Sequence, residues 1–277
     1  MNKIDYISLN EIIKHNNSLS LKNRLKGLSY ERCAELPFII IRLRSLFNKK
    51  LNYLDIGSGG ESPLPTFLLK YTNWHITIVD KYKWVQKQNI FAKNLLGDNY
   101  KERFKVIEDD FIKNELPDEH FDIITNISVI EHFERDSDII AMQKSAKLLK
   151  PEGIYLLTTP VNEGYPKEFY INETVYGDKA TNKKVFYQRH YNLKNIEKRI
   201  ISPSTLKEVD RIYFGDYDYD FFEKKLRFPK LLKPLKLFYT LNIQKYAYKY
   251  LSYSNKPISN SNMHINTASG IILEMTK

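Results

Sequence analysis

The sequence predicts an α/β domain built on a mostly parallel sheet with helices on both faces. First, the apolar run LNYLDIG at residues 51–57 ends in a glycine, as a buried strand does when it enters a tight turn. Second, strand-like and helix-like segments alternate over residues 51–160, which indicates right-handed βαβ units. Third, 42% hydrophobic and 27% charged residues are typical of a chain that packs a core.

The elements follow in a regular order. The first 50 residues carry apolar side chains at helical spacing and predict helices that cover the domain. Strands are predicted in LNYLDIG, HITIVD, FKVIED, FDIITNIS and GIYLLTTP, with helices at 63–70, 84–96 and 136–149 between them. A helix near 193–200 and strands in LKEVDRIYFG and SGIILEMTK complete the chain. This predicts a helical cover at 1–50 and one domain at 51–277, with halves at 51–160 and 161–277.

A basic segment at about 221–262 is predicted to be a helical insertion before the last strand. It supplies much of the net charge of +10, which would attract nucleic acid, a membrane surface or an anionic small molecule alike. Its interleaved Leu, Phe and Tyr suggest an amphipathic helix that rests on an anionic bilayer, or one that simply buries its apolar side in the domain. The basic residues are Lys224, Lys225, Arg227, Lys230, Lys233, Lys236, Lys245 and Lys249.

The sequence argues against secretion, membrane spanning and metal clusters. It has no apolar core for a signal peptide and no run of eighteen apolar residues, so we expect a cytoplasmic protein. The single cysteine, Cys33, excludes an intramolecular disulfide and a Cys-based zinc cluster. We expect no metal site.

The segment LDIGSGGES, residues 54–62, is the strongest local feature. Gly57 and Gly59 follow an apolar strand and allow positive φ angles and close approach of a ligand to the backbone. Ser62 and Pro63 are suited to the N-cap and first position of a helix facing the same cleft. A purely structural strand-to-helix turn would look similar.

An acid at the end of the next strand strengthens the prediction of a ligand site. Asp80 closes HITIVD about twenty residues beyond the glycine turn, where a carboxylate accepts the hydroxyls of an adenosine ribose. The alternative is a helix N-cap. The spacing favours the sugar contact.

These features together resemble the class I methyltransferases, and in particular the type 11 small-molecule branch that is common in bacterial envelope-glycan gene clusters. The resemblance covers about residues 51–160 and includes LDIGSG, Asp80, EDDF, FDIITNISVIEHF and LLKPEGIYLLTTP in that order. It implies a Rossmann-like three-layer sandwich with a seven-stranded sheet. It also implies S-adenosylmethionine as cofactor and S-adenosylhomocysteine as product. A dehydrogenase is less favoured, because the third glycine of its pyrophosphate turn is missing.

The family pattern assigns cofactor contacts along this half of the chain. The methionine moiety would lie beside Asp55, Gly57, Ser58 and Gly59, and the ribose beside Asp80 and Lys81. Asp110 with the backbone of Phe111 would contact the adenine, with Asp109 as the competing carboxylate. Asn126 and Ile127 would line the wall beside the sulfonium. Glu61 replaces the family's third glycine, and it points either at the cofactor's amino group or to solvent.

The same pattern places EHF at the mouth of the cleft. His132 is the candidate general base, since its unperturbed pKa lies near neutrality, and Glu131 would orient it or neutralise charge near the sulfonium. A histidine satisfied within the core and an acid that favours a helix N-terminus are the structural alternatives.

The acceptor is expected on the side that follows the fifth strand. Candidate substrate residues there are Tyr165, Tyr170, Arg189, His190 and Tyr191. Arg189 would grip a phosphate or carboxylate through its planar fork, or simply stack on the aromatic residues.

We therefore expect methyl transfer to an oxygen of a sugar-containing or phosphorylated small molecule in surface-polysaccharide assembly, with an anionic acceptor and peripheral contact with the inner face of the membrane. The alternative is an RNA-binding protein or RNA methyltransferase that uses the basic segment, although no RNA-binding appendage accompanies it. A third reading is a catalytically silent scaffold, which intact Gly57, Gly59 and Asp80 disfavour.

Overall fold

The computed structural model describes residues 2–29, 31–162, 166–172, 184–216, 248–249, 251–256 and 270–277. Its strands are β1 (Asn2–Lys3), β2 (Asn52–Ile56), β3 (His75–Asp80), β4 (Phe104–Glu108), β5 (Phe121–Ile127), β6 (Leu149–Pro160), β7 (Lys167–Ile171), β8 (Val185–His190), β9 (Lys207–Asp216), β10 (Leu251–Ser254) and β11 (Gly270–Thr276).

The helices cover the start of the chain and alternate with the central strands. They are α1 (Tyr6–Leu19), α2 (Leu21–Lys26), α3 (Arg32–Arg44), α4 (Leu64–Tyr71), α5 (Lys87–Leu96), α6 (Ser137–Leu148), α7 (Leu193–Ile196) and α8 (Ser202–Ser204). A π-helical turn, Glu197–Ile201, joins the last two, and 3-10 turns occupy Lys83–Gln86, Gly97–Glu102 and Ile130–His132.

The main sheet has nine strands in the order β1-β10-β9-β11-β6-β5-β2-β3-β4. The five strands from β4 to β6 are parallel, whereas β11 runs antiparallel to both of its neighbours, β6 and β9. The predicted α/β class and the mostly parallel sheet are therefore confirmed. The predicted number of seven strands is exceeded by two short strands, β1 and β10, which extend the sheet beyond β9.

Four of the described strands were not predicted, namely β1, β7, β8 and β10. β10 falls inside the predicted helical insertion, where alternation of buried Leu251 and Tyr253 with half-buried serines suits a strand instead of a helix. The rest of that insertion lies outside the described residues, apart from 248–249 and 255–256. β7 and β8 form a separate hairpin after the fifth strand of the parallel order, in a stretch too polar to predict as strands.

Side chains on successive residues of the central strands enter two hydrophobic layers. Tyr53 and Ile123 pack into the layer that includes α1, α3 and α4, while Leu54 and Ile124 pack into the layer that includes α6. Burial on both faces explains why these strands are continuous apolar runs, as parallel sheets require. This is the predicted three-layer sandwich; the division into domains at residue 50 stays a prediction.

The carboxyl ends of the parallel strands meet at one edge of the sheet. The glycine turn follows β2, Asp80 ends β3, Asp109 and Asp110 follow β4, and the turn Ile130–His132 follows β5. Open α/β sheets bind ligands at this edge. Among the helices that the structure describes, none is long and apolar enough to span a bilayer.

Candidate functional site

Gly57 fixes the first bend of the turn after β2. Its φ of +72° is a conformation that favours glycine, and its N–H donates to the carbonyl of Val79 at 2.7 Å. A Cβ at this position would lie 2.4 Å from Cγ1 of Val129. The turn is therefore packed directly against the segment that follows β5.

Gly59 joins the turn to the end of β3. With φ at +65°, its N–H donates to Oδ2 of Asp80 at 2.8 Å. A Cβ here would meet no atom within 4 Å among the described residues, so the turn borders open space. The two features on which the sequence prediction depends are in direct contact.

Asp80 lies at this edge with only 8% of its surface exposed. Burial raises the pKa of its carboxyl, although the N–H groups of Tyr82 and Gly59 donate to its oxygens and lower the pKa in part. The Trp84 side chain is a third hydrogen-bond partner, which leaves the carboxylate capacity for a ribose hydroxyl. The predicted neighbour Lys81 is exposed, with its ammonium 5.9 Å from the centre of the Tyr82 ring.

Asp55 supports the turn from beneath. It is buried and accepts hydrogen bonds from Ser58 Oγ at 2.5 Å and Thr125 Oγ1 at 2.6 Å. Burial raises the pKa of the carboxyl to about 6, against the effect of these two bonds. The predicted contact of Asp55 and Ser58 with the methionine moiety is therefore replaced, for their side chains, by a contact between the two residues.

The end of β4 presents the two adjacent acids. Both oxygens of Asp109 are engaged, one by the N–H of Asp110 and the other by Nδ2 of Asn114 at 2.9 Å. Asp110 accepts the N–H of Ile112 on Oδ1, and its Oδ2 accepts no hydrogen bond from the described residues. Phe111 beside it is buried. This pattern favours Asp110 over Asp109 as a ligand contact.

The segment after β5 is shaped by its own side chains. Asn126 is buried, and its Oδ1 accepts the N–H of Ile130 at 3.0 Å, so it folds the turn that leads to Glu131. Ile127 is 6% exposed, and its carbonyl accepts a hydrogen bond from Arg32 at 2.9 Å. Ser128 has φ of +48°, an uncommon conformation for a residue with a side chain.

Two predictions about the glycine segment need correction. Glu61 turns to neither predicted side alone: Lys22 and Lys26 of α2 pair with its carboxylate and Lys87 lies 3.5 Å away, while its contact with the cofactor stays a prediction. Burial would raise the pKa of Glu61, but the hydrogen bonds from the two α2 lysines outweigh it and lower the pKa to about 2. Ser62 does not cap α4; Pro63 occupies the N-cap position, and the carbonyl of Ser62 accepts Nε2 of Gln88 at 2.9 Å.

His132 is held in one orientation by the hairpin. Its Nδ1 lies 2.7 Å from the carbonyl oxygen of Tyr187, which can only accept, so Nδ1 carries the proton and Nε2 of the neutral ring carries the lone pair. Burial lowers the pKa of the imidazole despite this bond. The backbone of β8 therefore orients the candidate base.

Glu131 is 3% exposed and accepts a hydrogen bond from Thr159 Oγ1 at 3.3 Å. Burial raises the pKa of its carboxyl to about 8, so near neutrality it holds a proton. A protonated carboxyl does not supply the negative charge that the sequence prediction assigned to it beside the sulfonium. Its burial against β6 instead gives it a hydrogen-bonding role.

Arg189 is buried inside the acceptor side. Its guanidinium donates to Asp138 at 2.6 Å, to Glu168 at 2.8 Å and to the carbonyl of Arg135 at 2.9 Å. Tyr191 is completely buried, with its hydroxyl donating to Asp138 at 2.8 Å. These contacts give both residues a structural role in place of the predicted substrate contact.

The remaining substrate candidates differ in their exposure to solvent. His190 is half-buried against the ring of Phe169, and burial lowers its pKa to about 4, with Lys167 and His132 contributing. Tyr170 is 51% exposed and its hydroxyl donates to Glu168. Tyr165 lies outside the described residues.

Residues that the sequence interpretation missed complete the site. Arg32 and Glu35 of α3 reach the segment after β5, and Tyr187 and Asp138 orient the acceptor side. One signal was present: Arg32 and Glu35 stand three residues apart in RCAELPFIII, a helical spacing at which an arginine can pair with an acid. Within the described part of the chain, no cluster of His, Cys, Asp and Glu could hold a metal ion.

The sequence matches a family model described as a methyltransferase domain over residues 29–208. A search of curated proteins found no sequence similar to this chain.

Solved structures with the same fold include several methyltransferases. Coclaurine N-methyltransferase bound to N-methylheliamine and SAH has a TM-score of 0.55 at 12% identity, covering 100% of this chain and 82% of that chain. The PH0226 protein from Pyrococcus horikoshii OT3 has a TM-score of 0.51 at 13% identity, covering 91% and 92%. The 1,6-didemethyltoxoflavin-N1-methyltransferase of Burkholderia thailandensis has a TM-score of 0.50 at 15% identity, covering 74% and 79%. At these identities the likeness concerns the fold alone.

Proposed function

Because the chain belongs to the methyltransferase domain family and is an S-adenosylmethionine-dependent methyltransferase, we propose that it methylates a hydroxyl oxygen of a small molecule that carries a sugar or a phosphate. The observation that carries the choice of oxygen is the fixed tautomer of His132. A hydroxyl nucleophile must lose its proton during transfer, and an imidazole with its lone pair on Nε2 can accept it.

The cofactor edge has the donors and acceptors that an adenosyl compound needs. Asp80 would accept the ribose hydroxyls, Gly59 leaves open space beside the turn, and Asp110 keeps one unoccupied oxygen for the adenine amino group. S-adenosylmethionine supplies an electrophilic methyl group on a sulfonium. The protein's contribution is alignment of the nucleophile and exclusion of water from the reacting atoms.

His132 would act on the acceptor at the same edge. Its lowered pKa keeps the imidazole neutral at physiological pH, which is the protonation state of a base. The Tyr187 carbonyl stabilises the positive charge that develops when Nε2 takes the proton, because Nδ1 keeps its hydrogen bond. Glu131, protonated near neutrality, is a hydrogen-bond donor near the base.

The acceptor class rests on charge and on the sequence resemblance to envelope-glycan enzymes. The net charge of +10 would attract an anionic sugar phosphate or nucleotide sugar to the protein. We place the enzyme in the cytoplasm, with the basic segment near an anionic membrane surface. No described residue gives specific support to the RNA alternative.

Cofactor binding is tested by calorimetric titration of S-adenosylmethionine into the wild type, Asp80→Asn and Asp98→Asn. We expect Asp80→Asn to weaken binding at least tenfold, since an amide presents one acceptor oxygen where the carboxylate presents two. Asp98 is exposed and paired with Lys93, so it is the matched control and should bind as the wild type does. Equal binding by all three proteins would reject the cofactor site.

The acceptor is tested with methyl-labelled S-adenosylmethionine and a panel of sugar phosphates, nucleotide sugars and generic RNA. We expect label in the sugar compounds, and a fall of about a hundredfold for His132→Asn with unchanged cofactor affinity. Label confined to RNA would overturn the acceptor class. Full turnover by His132→Asn would remove the histidine from the mechanism.

A further inference from the structure

An ion pair on α3 is turned inward toward the candidate site. Arg32 Nη1 pairs with Glu35 Oε2, and the side chain of Glu35 is 1% exposed. Other arginines of the same helix face outward, as Arg44 does in its exposed pair with Glu11. A buried pair costs desolvation free energy, so its remaining hydrogen bonds decide what it does.

The remaining hydrogen bonds reach the segment that begins at Ile127 and the neighbouring strand β6. Arg32 Nη2 donates to the carbonyl of Ile127 at 2.9 Å. Oε1 of Glu35 accepts Ser128 Oγ at 2.5 Å and Thr158 Oγ1 at 2.7 Å. The pair therefore ties the last residue of β5, the next residue and the adjacent strand β6 to the N-terminal helices.

The segment 127–129 is strained, and it connects the glycine turn with the turn that carries His132. Ser128 at φ of +48° has a strained backbone conformation, which surrounding contacts must hold in place. Val129, next in the chain, packs against Gly57 in the turn after β2. Glu131 and His132 follow three and four residues after Ser128.

We propose that Arg32 and Glu35 are positioning residues for methyl transfer, which hold the 127–129 segment so that the glycine turn and His132 keep their relative placement. This rests on the proposed function for its effect on catalysis. The geometry of the pair itself does not depend on the acceptor.

The charges in this region support a coupled cluster. Arg32 lowers the pKa of His132, with burial as the larger cause, and it also lowers that of Glu131, whose pKa burial raises. Other titratable or charged groups on elements that pack near this turn are Tyr187, Arg189 and His190 on β8, Tyr155 on β6, Asp138 on α6 and Glu35 on α3. Asp138 and Arg189 are paired with each other, whereas Arg32 is the cation whose charge acts on the His132 imidazole.

The test follows the His132 resonance in ¹⁵N-histidine NMR titrations of the full chain. The proteins are the wild type, Arg32→Gln, Arg32→Lys, Glu35→Gln and the matched control Arg44→Gln. His132→Asn identifies the resonance. A second measurement is calorimetric binding of S-adenosylhomocysteine to each protein.

We expect Arg32→Gln to raise the midpoint of the His132 titration and to weaken S-adenosylhomocysteine binding at least fivefold. Arg32→Lys should restore the midpoint but not the affinity, because an ammonium supplies charge without the planar two-point contact. Arg44→Gln should match the wild type. Glu35→Gln, which keeps an acceptor oxygen, is the milder variant should Arg32→Gln not fold, and it should weaken binding in the same direction.

The proposal is overturned if Arg32→Gln and Glu35→Gln leave both the His132 titration and the affinity as in the wild type. It is also overturned if Arg44→Gln has the same effects, since these would then reflect general loss of stability. A wild type that binds no S-adenosylhomocysteine would reject the proposed function instead, while the His132 titration would still decide the positioning role.

Discussion

Two regions of the molecule are held by different kinds of contact. The proposed cofactor edge is the place where the turn after β2 meets Asp80, and the proposed acceptor side is the place where β8 meets α6. At the cofactor edge, glycine conformations and backbone N–H donors shape the turn, as in the hydrogen bond from Gly59 to Asp80. On the acceptor side, Asp138 meets Arg189 and Arg199 across 51 and 61 residues of chain. Glu35 and Thr158 are 123 residues apart.

The two regions should differ in how much stability they lose when one side chain is replaced. Backbone turns distribute their stability over many hydrogen bonds, whereas a buried carboxylate with two arginines concentrates it in one group. Removing one partner of such a network leaves uncompensated charge in the interior. The acceptor side should therefore be the more sensitive of the two regions to substitution and to pH.

The largest effect is expected for Asp138→Ala. This fully buried carboxylate accepts hydrogen bonds from Arg189, Arg199 and the hydroxyl of Tyr191. Its removal should lower the free energy of unfolding by about 3–5 kcal/mol. Urea denaturation followed by circular dichroism measures this.

Asp98→Ala is the control for that measurement, because its pair with Lys93 is exposed and should contribute nothing measurable. If Asp138→Ala is no less stable than the control, the acceptor side is not held by this network. The expectation that the acceptor side is more sensitive to substitution than the cofactor edge would then be wrong.

A smaller effect is expected from pH acting on Glu131. Burial raises its pKa from 4.5 to about 8, so the native state binds a proton that the unfolded state has released. Stability from this group is complete below pH 4.5 and is lost as the pH rises toward 8. Between pH 6.5 and 8 the loss is at most about 2 kcal/mol, from the value of one pKa unit.

The comparison protein is Glu131→Gln, which is neutral at every pH. We expect its free energy of unfolding to fall less than that of the wild type between pH 6.5 and 8. Histidines of the unfolded chain also release protons in this window, but they do so in both proteins, so the difference between the two curves reports on Glu131. Parallel curves for the two proteins would contradict the raised pKa.

The sequence predicted the contact between the glycine turn and Asp80 because the information there is local, while the cofactor contacts stay a prediction. A strand, two glycines and an acid at the end of the next strand are read within residues 51–80, and the structure joins Gly59 to Asp80 directly. The parallel order of β4 to β6 follows from the same alternation of apolar runs with helices. Each step uses residues that are close in the chain.

The acceptor side could not be predicted in the same way. Arg189 can bind either a ligand or Asp138, and the choice depends on how β8 packs against α6. The hydrophobic periodicity of the sequence does not predict that packing. The Tyr187 carbonyl that orients His132 is a backbone group, so its side chain gives no signal. The two extra strands depend on pairing between the chain's start and residues 251–254.

The smallest effect is expected for Glu61→Gln, which tests the one departure from the family pattern at the cofactor edge. The carboxylate pairs with Lys22 and Lys26 on the α2 side, so its loss should cost less than about 1 kcal/mol of stability. S-adenosylmethionine should bind with the same affinity, within twofold, in calorimetric titration. A loss of tenfold or more would mean that Glu61 turns to the ligand's amino group when it binds. The cofactor edge would then depend on a side chain that moves when the ligand binds. It would differ less from the acceptor side, which depends on side-chain contacts.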